Sequence, residues 1–252
     1  MSRIATLAHS IWVWSVTSFL ILCWLPPMAL VRMLDTDPEA RRTSRFFRAL
    51  GRAIVRAQFP NLTIAGLDHV GAGQTYLIVC NHQSFIDVPL VSFLPLDCKF
   101  LGKDMLFRIP VVGWMMRMSK DIPVSRRDTR SAARALMHCA KLMRSGCSVM
   151  VFPEGTRSLD GSLLPFSEAP FQVAVREGIQ VLPLVLDGTG AYLPRNAFLF
   201  GSRCPIHLSV LPPVPVAGLT SRGAGELSQQ VWNRMAQELE RLRRPPSARS
   251  AR

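Results

Sequence analysis

Residues 75–89 read "TYLIVCNHQSFIDVP". The apolar run through Cys80 has the length and residue types of a buried strand, and it stops abruptly at Asn81. His82 and Asp87 then stand five positions apart in a short polar loop, before Val88 and Pro89 resume an apolar segment. An imidazole and a carboxylate where a buried strand ends is the arrangement of an α/β protein, whose chemistry gathers in the loops beyond the sheet.

The rest of the chain repeats the pattern outward from this point. "LTIAG", "CKFLGK", "DIPVSR", "CSVMVF" and "IQVLPLVL" read as further strands. Between them "VPLVSFL" reads as a short helix, and Asp128 or Thr129 caps a helix that Gly146 ends. Another helix lies near 168–177, stopped by Gly178, and a late one covers roughly 225–243, after "IHLSVL". Residues 104–118 are apolar on nearly every side, with Pro110 and Gly113 interrupting any helix. The expected fold is α/β, a mixed or largely parallel sheet flanked by helices, preceded by an N-terminal membrane-anchoring helical segment. The domain reading is an anchor and basic amphipathic helix over 1–60, a catalytic domain over 61–244, and a disordered basic tail over 245–252.

Composition narrows the partners. The 252 residues carry 30 Lys and Arg against 17 Asp and Glu, a net charge of +13, which calls for an anionic partner. With two tyrosines and no zinc-finger or RNA-binding pattern, an anionic membrane fits better than nucleic acid. None of the six cysteines forms a C-x-x-C pair or stands at metal-ligand spacing, so they read as small buried hydrophobes in a reducing compartment, and no metal is expected.

From Ile4 to Val31 there is no Asp, Glu, Lys or Arg, and Trp12, Trp14 and Trp24 suit a membrane interface. Pro26-Pro27 should break this helix, which leaves both a full span and a single-leaflet hairpin open. Arg41, Arg45, Arg48, Arg52 and Arg56 then recur at helical spacing, opposite Phe46, Phe47, Leu50 and Ile54. The expectation is an interfacial helix with its arginines among lipid phosphates on the cytoplasmic side of the membrane. The alternative is an ordinary amphipathic helix packed on a core.

Two loops carry candidate chemistry. His82 has the functional group of a general base and Asp87 of its orienting carboxylate; as plain structure they are a helix cap and a first-turn acid. Ser84 stands too close to His82 for a triad nucleophile, and the chain contains no G-x-S-x-G elbow. In "FPEGTRS", Glu154, Gly155, Thr156 and Arg157 offer a tight turn beside a guanidinium, suited to a phosphate or equally to a surface turn with an internal Glu–Arg pair. Lys103, Arg126 and Arg127 bracket the apolar segment 104–118, cations beside a wall that suits an anionic head on an acyl chain, or scattered surface charge.

Taken in order, "NHQSFID", "GKDMLFRIPVVGWMMR…IPVSR", "FPEGTRS" and "VLPLVLDGT" resemble the four blocks of the glycerolipid acyltransferase family, over roughly residues 61–190. The resemblance implies acyl transfer from acyl-CoA or acyl carrier protein to a lysophospholipid hydroxyl, foremost that of 1-acyl-sn-glycerol-3-phosphate, at a phospholipid membrane and without a cofactor. It implies His82 as base and Asp87 as its orienting acid. Glu154, Gly155 and Arg157 would form the acceptor-phosphate site with Arg126 contributing, and Pro183 would belong to the fourth block. One place departs from the family pattern F-K-x-G-x-F: here Phe166-Ser167-Glu168-Ala169-Pro170-Phe171 lacks its lysine and its glycine. Another acceptor, such as a lyso-ornithine lipid, therefore stays open, as do a thioester hydrolase and a non-catalytic membrane-binding module.

Overall fold

Strict alternation along the central strands puts one half of their side chains on each face of the sheet, and both halves are apolar. Leu77 and Val79 face one core with Val149, Val151, Val181 and Val185, whereas Ile78 and Cys80 face a second with Met150, Leu182, Leu184 and Leu186. A sheet greasy on both sides must be covered by helices on both sides. The computed structural model describes residues 2–59, 61–125, 128–201 and 204–244. In chain order the elements are α1 (Arg3–Leu34), α2 (Arg41–Gln58), β1 (Leu62–Ala65), β2 (Leu77–Cys80), α3 (Asp87–Val91), β3 (Cys98–Lys103), α4 (Val112–Met118), β4 (Ile122–Val124), α5 (Thr129–Arg144), β5 (Ser148–Val151), α6 (Ala169–Glu177), β6 (Val181–Asp187), α7 (Thr189–Tyr192), β7 (Ile206–Val210) and α8 (Ala224–Arg243).

The seven strands lie in the order β1-β7-β6-β2-β5-β3-β4. The five from β6 to β4 are parallel; β7 runs antiparallel to β6, and β1 is parallel to β7. The expected mixed, largely parallel sheet is therefore observed, with β2 between β6 and β5. The first core is closed by α5, α6 and α8 through residues such as Leu142, Phe171 and Val231. The second is closed by α2 and α3 through Val55, Leu90 and Val91, together with Tyr192 of α7. Helix boundaries follow local chemistry: Asp128 caps α5 by accepting from the Arg130 N–H at 2.9 Å, and Gly146 and Gly178 follow their helices at φ +81° and +67°. Gly113 does not interrupt a helix but opens α4, where a Cβ would meet the Phe107 carbonyl oxygen at 2.3 Å.

Two N-terminal expectations need correction. Pro26 and Pro27 do not break α1, which runs unbroken from Arg3 to Leu34. The helix is held on both sides of the pair by α2: the Trp24 indole N–H donates to the Phe46 carbonyl at 3.0 Å, and Met28 is buried with Leu50 and Met115. External packing of this kind compensates for the two missing N–H donors. The second correction concerns α2. Part of its arginine face, expected among lipid phosphates, turns instead onto the α/β domain, while Arg42, Arg45 and Arg56 stay exposed. Arg48 is buried, gives Nη2 to both oxygens of Asp121 at 2.6 Å, and lies over the Phe100 ring at 3.8 Å. Arg45 pairs with Asp97, Arg41 with Asp37, and Arg52 donates to the Ser92 carbonyl. The apolar face, with Phe46, Phe47, Leu50 and Ile54, packs against α1 and α4. The apolar face and the Arg48 side of the helix are thus spent inside the molecule.

Asp121 also accepts the Phe100 N–H at 2.9 Å, and next to it the ammonium of fully buried Lys99 donates to the Ser119 carbonyl at 2.6 Å. Four of the six cysteines are buried as expected, but Cys204 is only half-buried and Cys23 is exposed, on the outer face of α1. The tail 245–252 lies outside the described residues. Removing Arg48 strands the Asp121 carboxylate in the interior. Arg48→Ala should cost about 3–5 kcal/mol in denaturant unfolding, whereas Arg45→Ala, at an exposed pair, should cost about 1 kcal/mol or less.

Candidate active site

Parallel neighbours β2 and β5 deliver their following loops to the same edge of the sheet, so residues 81–87 and 152–158 emerge side by side. The first loop is fixed at its root. Asn81 extends the β2–β6 pairing with its side chain, accepting from the Leu186 N–H and donating to the Leu186 carbonyl, both at 2.8 Å. Gln83 likewise donates to the Leu186 carbonyl at 3.1 Å.

Asp87, the first residue of α3, is fully buried, and its Oδ2 folds back over the loop. That one oxygen accepts from His82 Nδ1 at 2.7 Å, from the Gln83 N–H at 2.7 Å and from the Ser84 N–H at 2.8 Å. The network assigns the Nδ1–H tautomer to neutral His82 and leaves Nε2 with a free lone pair. The ring is stacked on Phe152, with centroids 3.9 Å apart and planes 16° apart, which fixes the rotation that the hydrogen bond alone would permit. His82 keeps partial exposure, with 15% of its side chain accessible, beside an Asp87 side chain with none. The sequence offered two readings of His82 and Asp87, a base with its orienting acid or helix-end residues; the structure brings the two into contact, with Asp87 also the first-turn acid of α3. Ser84 is buried, and its hydroxyl is committed to the Leu193 carbonyl at 2.7 Å.

The second loop is built on Gly155, whose φ of +70° is open to few other residues and whose N–H closes the turn on the Phe152 carbonyl at 3.0 Å. Glu154 neither pairs with Arg157 nor points away from the protein. Its Oε1 accepts the His82 N–H at 2.9 Å and its Oε2 the Leu164 N–H at 3.3 Å. Burial pushes its carboxyl up to about 7, against the lowering effect of those two donors. The Ser158 N–H donates to the His82 carbonyl at 2.7 Å, so the two loops are stitched on both sides of the imidazole. The Arg157 guanidinium lies over the Phe85 ring, with Cζ 4.0 Å from its centroid, and its charged form is disfavoured first by burial and then by neighbouring Arg195. Arg195 donates to the Arg157 carbonyl at 2.8 Å and stood outside every sequence motif.

Of the other sequence candidates, Thr156 is half-buried in the Gly155 turn and Lys103 is exposed at the carboxyl end of β3, whose neighbour is β5. Arg126 and Arg127 lie outside the described residues. The apolar segment 104–118 divides: Phe107, Met115 and Met116 are buried, while Met105, Ile109 and Trp114 are exposed. Among the described residues no three His, Cys, Asp or Glu side chains gather in a metal-binding group.

A family model described as "Acyltransferase" matches residues 61–187. A chloroplastic 1-acyl-sn-glycerol-3-phosphate acyltransferase of Arabidopsis thaliana is 39% identical over 162 residues, which cover 64% of this chain and 46% of that protein. This chain spans about half the length of that relative and of the similar Brassica napus protein. A 1-acyl-sn-glycerol-3-phosphate acyltransferase of Borreliella burgdorferi is 29% identical over 184 residues, covering 72% of this chain and 73% of its own. Among solved structures, the 1-acyl-sn-glycerophosphate acyltransferase PlsC from Thermotoga maritima superposes with a TM-score of 0.83 at 26% identity, over 97% of this chain and 99% of that one.

Glu154 gives a pH signature. Its folded value of about 7 lies above the ordinary 4.5, so the folded protein holds a proton that the unfolded chain has lost between those values. Stability should therefore fall as pH rises from about 4.5 to 7. Thermal unfolding of Glu154→Gln across that range should lack this component and leave a flatter profile than wild type.

Proposed function

The chain belongs to the acyltransferase family, and from that premise we propose that it moves an acyl group from acyl-CoA or acyl carrier protein to the free hydroxyl of 1-acyl-sn-glycerol-3-phosphate, giving phosphatidic acid. The observation that carries the reading is the 2.7 Å contact of His82 Nδ1 with buried Asp87, with the ring clamped on Phe152. In this mechanism Nε2 takes the hydroxyl proton as the oxygen attacks the thioester carbonyl. The C–O bond forms, the C–S bond breaks, and the imidazolium returns the proton to the departing thiolate. Asp87 stabilises the transient imidazolium and holds its tautomer. Glu154 supports the base from behind through the His82 N–H. Arg157 binds the acceptor phosphate, with Lys103 at the end of β3 and Thr156 contributing; for Arg126 the role rests on the family resemblance alone. The committed hydroxyl of Ser84 argues against a serine nucleophile, and the step as written uses no metal or cofactor.

The acceptor is a lipid, and α1 supplies the means of reaching it. Among the described helices α1 alone is long and apolar enough to cross a membrane, reaching about 48 Å at 1.5 Å per residue. Yet it is tied down along its length. The Gln58 amide binds the Val13 carbonyl and the Thr17 hydroxyl, Trp24 binds Phe46, and Met28 is buried beside α4. A helix lashed to its domain in this way lies along the membrane surface instead of standing through it. Its exposed Ile4, Leu7, Ile11, Phe19, Leu22 and Leu30 enter one leaflet, on the cytoplasmic side where thioester donors are at hand.

Two measurements test the proposal. Thiol release from acyl-CoA by the reconstituted protein should require lysophosphatidic acid, and His82→Ala should lower it by roughly a hundredfold or more. Release indifferent to the lysolipid would indicate a hydrolase, and a lyso-ornithine lipid supporting faster release would reassign the acceptor. No release with CoA or carrier-protein thioesters across several lysolipids would leave a membrane-binding module. For the membrane mode, Ser2→Cys and Thr36→Cys in a Cys23→Ser background should both react with an impermeant maleimide from the same side of sealed vesicles; labelling from opposite sides would mean a span.

A further inference from the structure

Arg195 belongs to none of the sequence blocks, yet the fold delivers it to the second loop of the site. Its Nη1 donates to the carbonyl of Arg157 at 2.8 Å, while the Arg157 guanidinium is held over Phe85. Among the described residues neither arginine has an ion-pair partner, although Arg41, Arg45, Arg48, Arg144, Arg241 and Arg243 each have a carboxylate. Two like charges brought together in a half-buried place repel each other at a cost that water screens poorly. The neighbourhood registers it, since Arg195 adds to burial in disfavouring the charged form of Arg157. An anion set against both removes that cost.

The loop that carries Arg195 is also fixed by hydrogen bonds to its backbone. The Ser84 hydroxyl holds the Leu193 carbonyl at 2.7 Å, and the Gly201 N–H closes the loop on the Tyr192 carbonyl at 2.7 Å. Ser84 is itself held by Asp87. The loop carrying Arg195 is therefore referenced to the catalytic histidine through three hydrogen bonds. Resting on the function proposed above, we propose that Arg195 is a second cation of the acceptor head-group site, forming with Arg157 a two-guanidinium clamp that selects a phosphate monoester over a diester. A monoester dianion presents three oxygens and enough charge for two guanidinium groups, whereas a diester offers two free oxygens and a single charge.

The test uses the full-length chain with acyl-CoA. The KM for lysophosphatidic acid is measured beside the inhibition constant of lysophosphatidylglycerol, a diester competitor. Arg195→Ala should raise the first by roughly ten- to a hundredfold with kcat nearly unchanged, and should move the second by no more than about threefold. Arg195→Lys, which keeps the charge, should recover most of the loss. Arg195→Gln, which keeps a donor for the Arg157 carbonyl but no charge, should not. Equal losses on monoester and diester, or rescue by Gln as complete as by Lys, would reduce Arg195 to a loop tie and overturn the clamp. A wild-type protein inactive on lysophosphatidic acid would instead overturn the function reading, and this inference with it.

Discussion

A single carboxylate oxygen sets the shape of the site. Asp87 Oδ2 gathers His82 Nδ1 and the N–H groups of Gln83 and Ser84, so the loop after β2 is wrapped around one buried charge. Burying a carboxylate is costly unless donors surround it, and here the donors come from the residues that the loop must orient. The same three bonds offset part of the cost of burial and position the imidazole, while the other oxygen, Oδ1, is buried with no hydrogen-bond partner among the described residues. The remaining ties follow from that geometry. Ser84, drawn in by its N–H, turns its hydroxyl to the 193–201 loop. His82, fixed at its ring, offers its own N–H to Glu154 and its carbonyl to Ser158. Loops after β2, β5 and β6 become one structure because each is bonded to the segment that Asp87 organises.

Much of this was legible in the sequence, for a physical reason. Strands buried on both faces must be continuously apolar, so "LIVC", "SVMV" and "VLPLVL" announce themselves and end where the apolar run ends. The polar residues directly after such runs stand at the sheet edge, which is why His82, Asp87, Glu154 and Arg157 were visible as candidates. Their relations were harder to read. That Glu154 serves the His82 N–H instead of a guanidinium depends on the β2–β5 pairing, and no local spacing encodes which strands are neighbours. Arg195 was invisible for the same reason. It reaches the site on the long connection between the antiparallel neighbours β6 and β7, and "LPRNAF" has no pattern of its own.

The arginines of α2 show where periodicity misleads. A basic stripe opposite an apolar stripe is the pattern of an interfacial helix, and it is equally the pattern of a helix sandwiched between an apolar partner and an acidic one. The deciding residues are remote: Asp97 precedes β3 and Asp121 precedes β4, and nothing near residue 48 reveals them. Once they are in place, Arg48 gains two carboxylate oxygens and the face of Phe100, an environment more specific than a lipid head group. The proline pair in α1 misleads in the same way, because a local penalty of a few kcal/mol is set against contacts made along the whole helix.

These corrections bear on how a lipid would meet the proposed site. The N-terminal half of α1 is bonded to the loop that carries Arg195: His9 meets the Tyr192 hydroxyl at 2.9 Å, the Trp14 indole donates to the Phe198 carbonyl at 2.8 Å, and the Phe200 N–H donates to the Ser10 hydroxyl at 2.9 Å. Phe198 is 79% exposed and Leu199 51%, so the apolar surface of the helix continues onto this loop. If this surface enters a leaflet as proposed, it carries the loop with it and would bring Arg195 near the depth of lipid phosphates. From Arg195 the chain of contacts runs through Leu193 and Ser84 to Asp87 and His82. The anchor then does more than raise the local concentration of acceptor. On the proposed reading it would set the height of His82 above the membrane, so that a lysolipid whose tail stays in the leaflet would present its head group at the strand ends.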